Sequence, residues 1–233
     1  MEKILSCTGL TKYYGTLPAL SDVSVNLYAG RVTYLTGGSG AGKSTFLRLA
    51  AGLCIPTDGS ITVCGERPGS AANEFTAYLP DRDFLPANEK LIDILRFFST
   101  FFRDFDAEKA VMLLGELRAD LTKRFGTFSR AMRGNIQTAI VASRRARIFL
   151  LDEPAIGSED GVRALLLGTV FDRVRNEDAG AVIAYPSLKR LPEGENIDDM
   201  LLLKNGTVLY CGAAERFAEA DNDHAQFDQV NLL

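Results

Sequence analysis

Tryptophan is absent from the 233 residues, and histidine occurs once, as His224. A lone histidine gives little with which to build a histidine metal centre. The four cysteines are Cys7, Cys54, Cys64 and Cys211, with no Cys-x-x-Cys pair among them. They are expected as small, buried or half-buried apolar residues. A basic excess is missing too. Twenty-six Lys and Arg stand against 30 Asp and Glu, a net charge of −4, so no general field attracts nucleic acid. Apolar runs such as residues 164–167 fall far short of the ~20 residues of a membrane span. The opening residues lack the apolar stretch and cleavage site of a secretory signal. The expected location is the cytoplasm. What the chain does have is 46% hydrophobic residues. That is enough for a sizeable core in one domain, or a domain with a subdomain.

Strand-like runs fall at residues 4–8, 23–28, 32–36, 60–64 and 76–79. A helical pattern starts at Lys43 and stops before Gly52. From about residue 89 to 142 the period changes: Leu91, Ile94, Leu95 and Phe98 recur at helical spacing, as do Ala110, Leu113, Leu114 and Leu117. Strand signals resume at 148–151, 181–184, 200–203 and 207–211, with a helix over about 161–175. The alternation predicts an α/β fold with a mainly parallel sheet, an inserted helical subdomain and some antiparallel strands at either end. The catalytic α/β core is expected at about residues 1–87 and 146–215, the helical subdomain at 88–145 and a polar tail at 216–233. The basic cluster 144–147 reads as a solvated turn after a helix.

The most specific segment is Gly37-Gly38-Ser39-Gly40-Ala41-Gly42-Lys43-Ser44, which matches G-x-x-x-x-G-K-[ST]. Phosphate oxygens need converging N–H donors, and glycines let the backbone curl so that the N–H groups point inward. The loop ends at a helix start, where free N–H groups and the dipole favour anions. Lys43 places positive charge near the β- and γ-phosphates, the Ser44 hydroxyl suits Mg²⁺, and Thr45 reaches the α-phosphate region. A second segment, residues 148–153, is an apolar strand ending in Asp152 and Glu153. Asp152 at the carboxyl end of such a strand suits an acid holding Mg²⁺. Glu153 then suits a residue that orients the attacking water.

These segments, in this order, make the chain from about residue 3 to 215 resemble the nucleotide-binding subunit of ATP-binding cassette (ABC) transporters, a phosphate-loop NTPase cassette. The resemblance implies ATP and Mg²⁺ as ligands, ATPase activity, and a membrane-spanning permease subunit as partner. It also implies a homo- or heterodimer with a second ABC ATPase, and a peripheral place at the inner face of the cell membrane. Tyr14, in Lys12-Tyr13-Tyr14-Gly15, matches the aromatic that stacks on adenine in the family. The other reading is an ordinary strand-end tyrosine. Ser129, in Phe128-Ser129-Arg130-Ala131-Met132, matches the signature serine that reaches nucleotide across the dimer. This variant signature and the insert at 102–109 resemble bacterial exporter-type members.

The family pattern is broken at four places. Arg130 and Ala131 replace the signature glycines, and Arg130 is open between a phosphate contact and a surface residue. Asp81 stands where the family has a metal-contacting glutamine. It is open between a metal ligand and a turn cap beside Pro80, and an ionised Asp cannot donate as Gln does. Pro186 stands where the resemblance places the switch histidine, and has neither a titratable side chain nor an N–H. Tyr185 and Lys189 are the nearby candidates to replace it. The segment 156–160 keeps an acid, Glu159 or Asp160, but loses the family leucine. The expectation is therefore tight ATP binding with slow hydrolysis. The alternative is a weakly hydrolysing or non-hydrolysing nucleotide-binding partner in a heterodimer. A guanine motif of the Asn-Lys-x-Asp type is absent, which argues against a GTPase.

Overall fold

In the computed structural model, the described residues are 1–69, 71–155, 157–176, 178–186 and 197–217. The chain opens with two long strands, β1 (Lys3–Tyr14) and β2 (Leu17–Tyr28), then β3 (Val32–Thr36) and helix α1 (Lys43–Ala50). Strands β4 (Asp58–Val63) and β5 (Thr76–Leu79) follow. Three helices come next: α2 (Leu91–Phe101), α3 (Ala107–Glu116) and α4 (Arg130–Ala142). The chain then returns to β6 (Ile148–Asp152), α5 (Asp160–Asn176), β7 (Gly180–Ala184), β8 (Asp199–Lys204) and β9 (Thr207–Ala213).

The strands form two sheets. One is antiparallel, in the order β2-β1-β4; the other runs β5-β6-β7-β3-β8-β9. In the larger sheet every pairing is parallel except β8 with β9. The fold is α/β, as the sequence predicts. Every residue of β3, β6 and β7 is buried, because helices and the second sheet cover both faces. Such strands read as continuous apolar runs. The first two strands are longer than expected, 12 residues each. Their pairing shifts register at several points, among them between Cys7 and Leu10. Each shift resets the in–out alternation, so a period-two pattern does not extend across it.

Among the described residues three apolar clusters hold the layers. Leu10, Leu20, Leu35, Phe46, Leu47 and Leu150 pack α1 between the two sheets. Tyr34, Phe149, Leu151, Leu167 and Val170 cover the other face of the large sheet. The third lies among α2, α3 and α4, where Leu91, Ile94, Leu95, Phe98, Leu113 and Leu114 meet Ile136 and Ile140. Full burial of each such side chain contributes about 1.5–3 kcal/mol. Asp106 starts α3 by accepting from the Lys109 N–H at 3.0 Å, a side-chain cap.

The expected solvated turn at 144–147 is corrected. Arg144 is only 5% exposed. Its Nη1 donates to the Thr76 carbonyl at 2.6 Å, its Nη2 to those of Asn73 and Glu74, and its Nε to Asp104 at 3.1 Å. The guanidinium also lies 4.4 Å from the Phe102 ring centroid. Three carbonyls just before and at β5 need donors, and one planar fork supplies them. Arg145 pairs with Asp106 and Arg147 with Glu2. Cys7 is buried and Cys54 and Cys64 are half-buried as expected, but Cys211 is exposed. Among the described residues no helix is long and apolar enough to cross a membrane.

Candidate functional site

The loop that leaves β3 and enters α1 is shaped by its glycines. Gly37 has φ 143°, and a Cβ there would lie 2.2 Å from the Leu203 carbonyl oxygen. Gly42 has φ 105°, with a Cβ that would meet the Ala19 carbonyl oxygen at 2.5 Å. Larger residues are therefore excluded by both conformation and space. Ser39 and Gly40 form the exposed crest, while Ala41 is buried and its N–H donates to the Gly38 carbonyl at 3.2 Å. Gly42 starts α1 without a side-chain cap, and no acid lies in the first turn. The first N–H groups of this helix are thus free of side-chain competitors and suited to an anion.

Lys43 curls back into the loop. Its Nζ donates to the carbonyls of Gly37 at 2.6 Å and Gly38 at 3.0 Å. Burial pulls its pKa down, and the charges of Glu153 and Asp152 oppose that pull. Thr45 is buried just behind Ser44. Asp152 ends β6 and is 2% exposed. Burial pushes its carboxyl up to about 6, while a hydrogen bond from Ser44 acts the other way. Its Oδ2 is buried without a hydrogen-bond partner. An orphaned carboxylate oxygen beside a serine hydroxyl and a phosphate-type loop is a fit for a hard cation. Among the described residues no three His, Cys, Asp or Glu side chains gather into a metal site of their own. A cation here would therefore take Ser44 and Asp152 and complete its shell with phosphate and water oxygens.

Asp81 lies just beyond β5, with Arg48 of α1 4.0 Å away, and its charge reaches Asp152. Glu153 has φ 52° and Ala155 φ 50°, a region that costs non-glycine residues of order 1 kcal/mol or more each. The turn they form is held at several points. The Glu153 N–H donates to the Ala184 carbonyl at 2.9 Å. The Tyr185 hydroxyl donates to the Pro154 carbonyl at 2.8 Å. The Ala155 N–H donates to Thr138 Oγ1 at 3.2 Å. Glu153 and Asp81 line one cleft of about 230 Å³ with Asp83, Arg130 and Arg133.

Lys43, Ser44, Asp152, Asp81 and Glu153 are thus brought together. Tyr14 stands at the open end of β1, 47% exposed, with the Lys12 Nζ 5.3 Å over its ring. Ser129 stands at the start of α4, next to Arg130 of that cleft. It caps α4, its Oγ accepting from the Met132 N–H at 3.3 Å. Tyr185 is 2% exposed and stacks on Tyr34. With its hydroxyl on Pro154, it braces the acidic turn. Pro186 follows it, half-buried. Lys189, His224 and Ile156 lie outside the described residues. Asp160 begins α5 in an ion pair with Arg163. Residues the sequence reading passed over are Asp83, Arg133, Gln137 and Thr138. For Arg133, Gln137 and Thr138 the signal is polar side chains inside a helix that must bury an apolar face; Asp83, in the loop after β5, carries no such signal.

Fold and cradle together define a phosphate-loop nucleotide-binding protein. The family model described as ABC transporter matches residues 20–156, more than half of the chain, and the chain belongs to that family. It is 30% identical over 193 residues to a phosphonates import ATP-binding protein of Natronomonas pharaonis, covering 78% of this chain and 82% of that one. It is 28% identical over 222 residues to the probable multidrug ABC transporter ATP-binding protein YbhF of Escherichia coli, covering 91% of this chain. The chain spans only 38% of that relative's length. A solved ATP-binding subunit of an ABC transporter superposes with a TM-score of 0.83, covering 94% of this chain and 93% of that one at 23% identity. At that identity the likeness bears on the fold alone.

Proposed function

We propose that the chain uses the binding and hydrolysis of ATP to drive a membrane transporter. The observation that carries this is the orphaned Asp152 Oδ2 beside Ser44 and Lys43. The phosphate loop from Gly37 to Ser44, with Thr45 behind it, holds the phosphates, and Tyr14 offers an exposed ring for a base. Lys43 draws the γ-phosphate and stabilises charge on it. Ser44 and Asp152, with Asp81 nearby, would hold Mg²⁺, which would supply positive charge against the phosphates. Glu153 orients a water, accepts its proton as the water oxygen bonds the γ-phosphorus, and ADP leaves. The part of the cassette that senses the γ-phosphate is eroded at Pro186, at Asp81 and in the signature. Turnover by the chain alone is therefore slow, and a second ABC ATPase completes the site. A weakly hydrolysing member of a heterodimer is the alternative.

A groove of about 670 Å³ lies where the loop after β5 meets the helical subdomain at about 88–145, lined by Phe84, Phe97, Phe98, Phe102 and Ile94. Phe97 is 53% exposed and Phe101 68%. An apolar surface of this kind marks a protein contact, and the permease is the partner we assign to it. With the permease as partner, the location we propose for the chain is the cytoplasmic face of the membrane. The exporter-like insert at 102–109 favours export, against the import system named for the Natronomonas pharaonis relative.

Replacing Glu153 by Gln tests the hydrolytic role. Turnover should fall about 100-fold or more, with ATP affinity within about two-fold. Unchanged turnover would favour the non-hydrolysing alternative. Turnover by the chain alone matching that of the assembled transporter would sink the slow-turnover reading.

A further inference from the structure

Helix α4 begins at the signature segment, and its core-facing side is apolar through Ile136, Ala139 and Ile140. Four polar residues interrupt that pattern: Arg133, Asn135, Gln137 and Thr138. The last three are 8%, 4% and 1% exposed. Buried polar side chains need partners, and these find them in two loops. One is the loop after β5. There Arg133 Nε donates to Asp83 Oδ2 at 2.7 Å and Gln137 Nε2 to Asp83 Oδ1 at 3.1 Å. The Phe84 N–H in turn donates to Gln137 Oε1 at 2.8 Å. The other is the turn after β6. Thr138 Oγ1 accepts from the Ala155 N–H, and the Ser158 hydroxyl donates to Asn135 Oδ1. The Thr138 hydroxyl hydrogen points back to the Gly134 carbonyl, 2.8 Å away, which leaves its lone pairs for Ala155.

The two loops so held are those that carry Asp81 and Glu153. Both lie just beyond strand ends, where little sheet pairing fixes them. The second contains the two positive-φ residues, so its conformation persists only while its hydrogen bonds do. Buried Ala155 has no solvent alternative for its N–H.

We infer that Gln137 and Thr138 are positioning residues, through which the helix that starts at Ser129 sets the placement of Asp81 and Glu153 within its own chain. Phosphate binding, built on α1 and its loop, does not pass through these contacts. Hydrolysis does, so anything that shifts the start of α4 shifts both acids together. This rests on the reading of Glu153 as the water-orienting residue.

Thr138→Val in the full chain keeps the volume and removes the hydroxyl. Turnover is expected to fall about ten-fold or more, since small misplacements of a catalytic group carry that cost. ATP affinity by calorimetric titration should stay within about two-fold, and Thr138→Ser should restore turnover. Gln137→Glu keeps the acceptor for Phe84 but sets a like charge against Asp83, and should lower turnover in the same selective way. A folded Thr138→Val with normal turnover, or turnover and affinity falling together, would overturn the proposal. Glu153→Gln is run beside them. If it hydrolyses ATP as fast as the unaltered chain, the hydrolytic reading has failed, and amide exchange then decides this one. Ala155 should exchange about ten-fold faster or more in Thr138→Val, with exchange in β6 unchanged. Equal exchange at Ala155 would reject it.

Discussion

Two helices of this chain begin with opposite solutions to the same problem. Helix α1 starts at Gly42 with no side-chain cap and no acid in its first turn. Helix α4 starts at Ser129, whose Oγ takes the Met132 N–H for itself. Unpaired N–H groups at a helix start need an acceptor. In α1 no capping side chain supplies one, which suits the site to an external anion; in α4 part of it is already inside. The contrast continues along the helices. The start of α1 is locked by backbone, with carbonyls of Ala19 and Leu203 crowding Gly42 and Gly37. The ends of α4 are fixed by side chains, Ser129 before it and Arg144 beyond it. Backbone packing makes a cradle that is ready for an anion. Side-chain attachment makes an element whose position depends on a few polar contacts.

Three substitutions probe that contrast. The largest effect is expected at Arg144. Arg144→Ala leaves Asp104 and three carbonyls without their buried donor, and should lower unfolding stability by about 3–5 kcal/mol in denaturant titration. A loss under 1 kcal/mol would mean that α4 is held mainly by its apolar face. Asp152 gives a smaller effect of opposite sign, on the cradle side. Burial pushes its carboxyl up to about 6, above the ordinary aspartate value of 3.8, so its protonated form is favoured by folding. Stability from this group is present below about pH 4 and lost as pH rises through about 6. Without nucleotide, Asp152→Asn should therefore be more stable than the unaltered chain by about 2 kcal/mol at pH 7, and no more stable near pH 4. Thermal unfolding across that range checks it. The smallest effect is at Ser129. Ser129→Ala removes a cap and should cost about 1 kcal/mol, with ATP affinity of the single chain within about two-fold. A large affinity loss there would show that α4, like α1, meets nucleotide within one chain.

The two helices also differed in how far they could be read from residues alone. Gly37 to Ser44 was legible because its constraints are local: a short segment needs glycine conformations, a lysine and a helix start. Strands β3, β6 and β7 were legible because burial on both faces leaves unbroken apolar runs. The full length of β1 and β2 was not, since their register shifts break the alternation. The burial of Arg144 is not legible in the sequence because its partners, Asp104 and the carbonyls at 73, 74 and 76, lie some 40 to 71 positions away along the chain. The roles of Gln137 and Thr138 are hidden for the same reason. A polar residue in a helix looks solvated until the loops it meets are in place.

By itself, then, the sequence determined that this chain cradles phosphate and carries two acids at a strand end, because both follow from short contiguous patterns. Only the tertiary structure decided which side chains hold those acids. It turned Tyr185 onto Pro154, buried Arg144, and joined one helix to both acid-bearing loops. Each of these is a hydrogen bond between segments far apart in sequence, and the folded backbone alone sets which donor meets which acceptor.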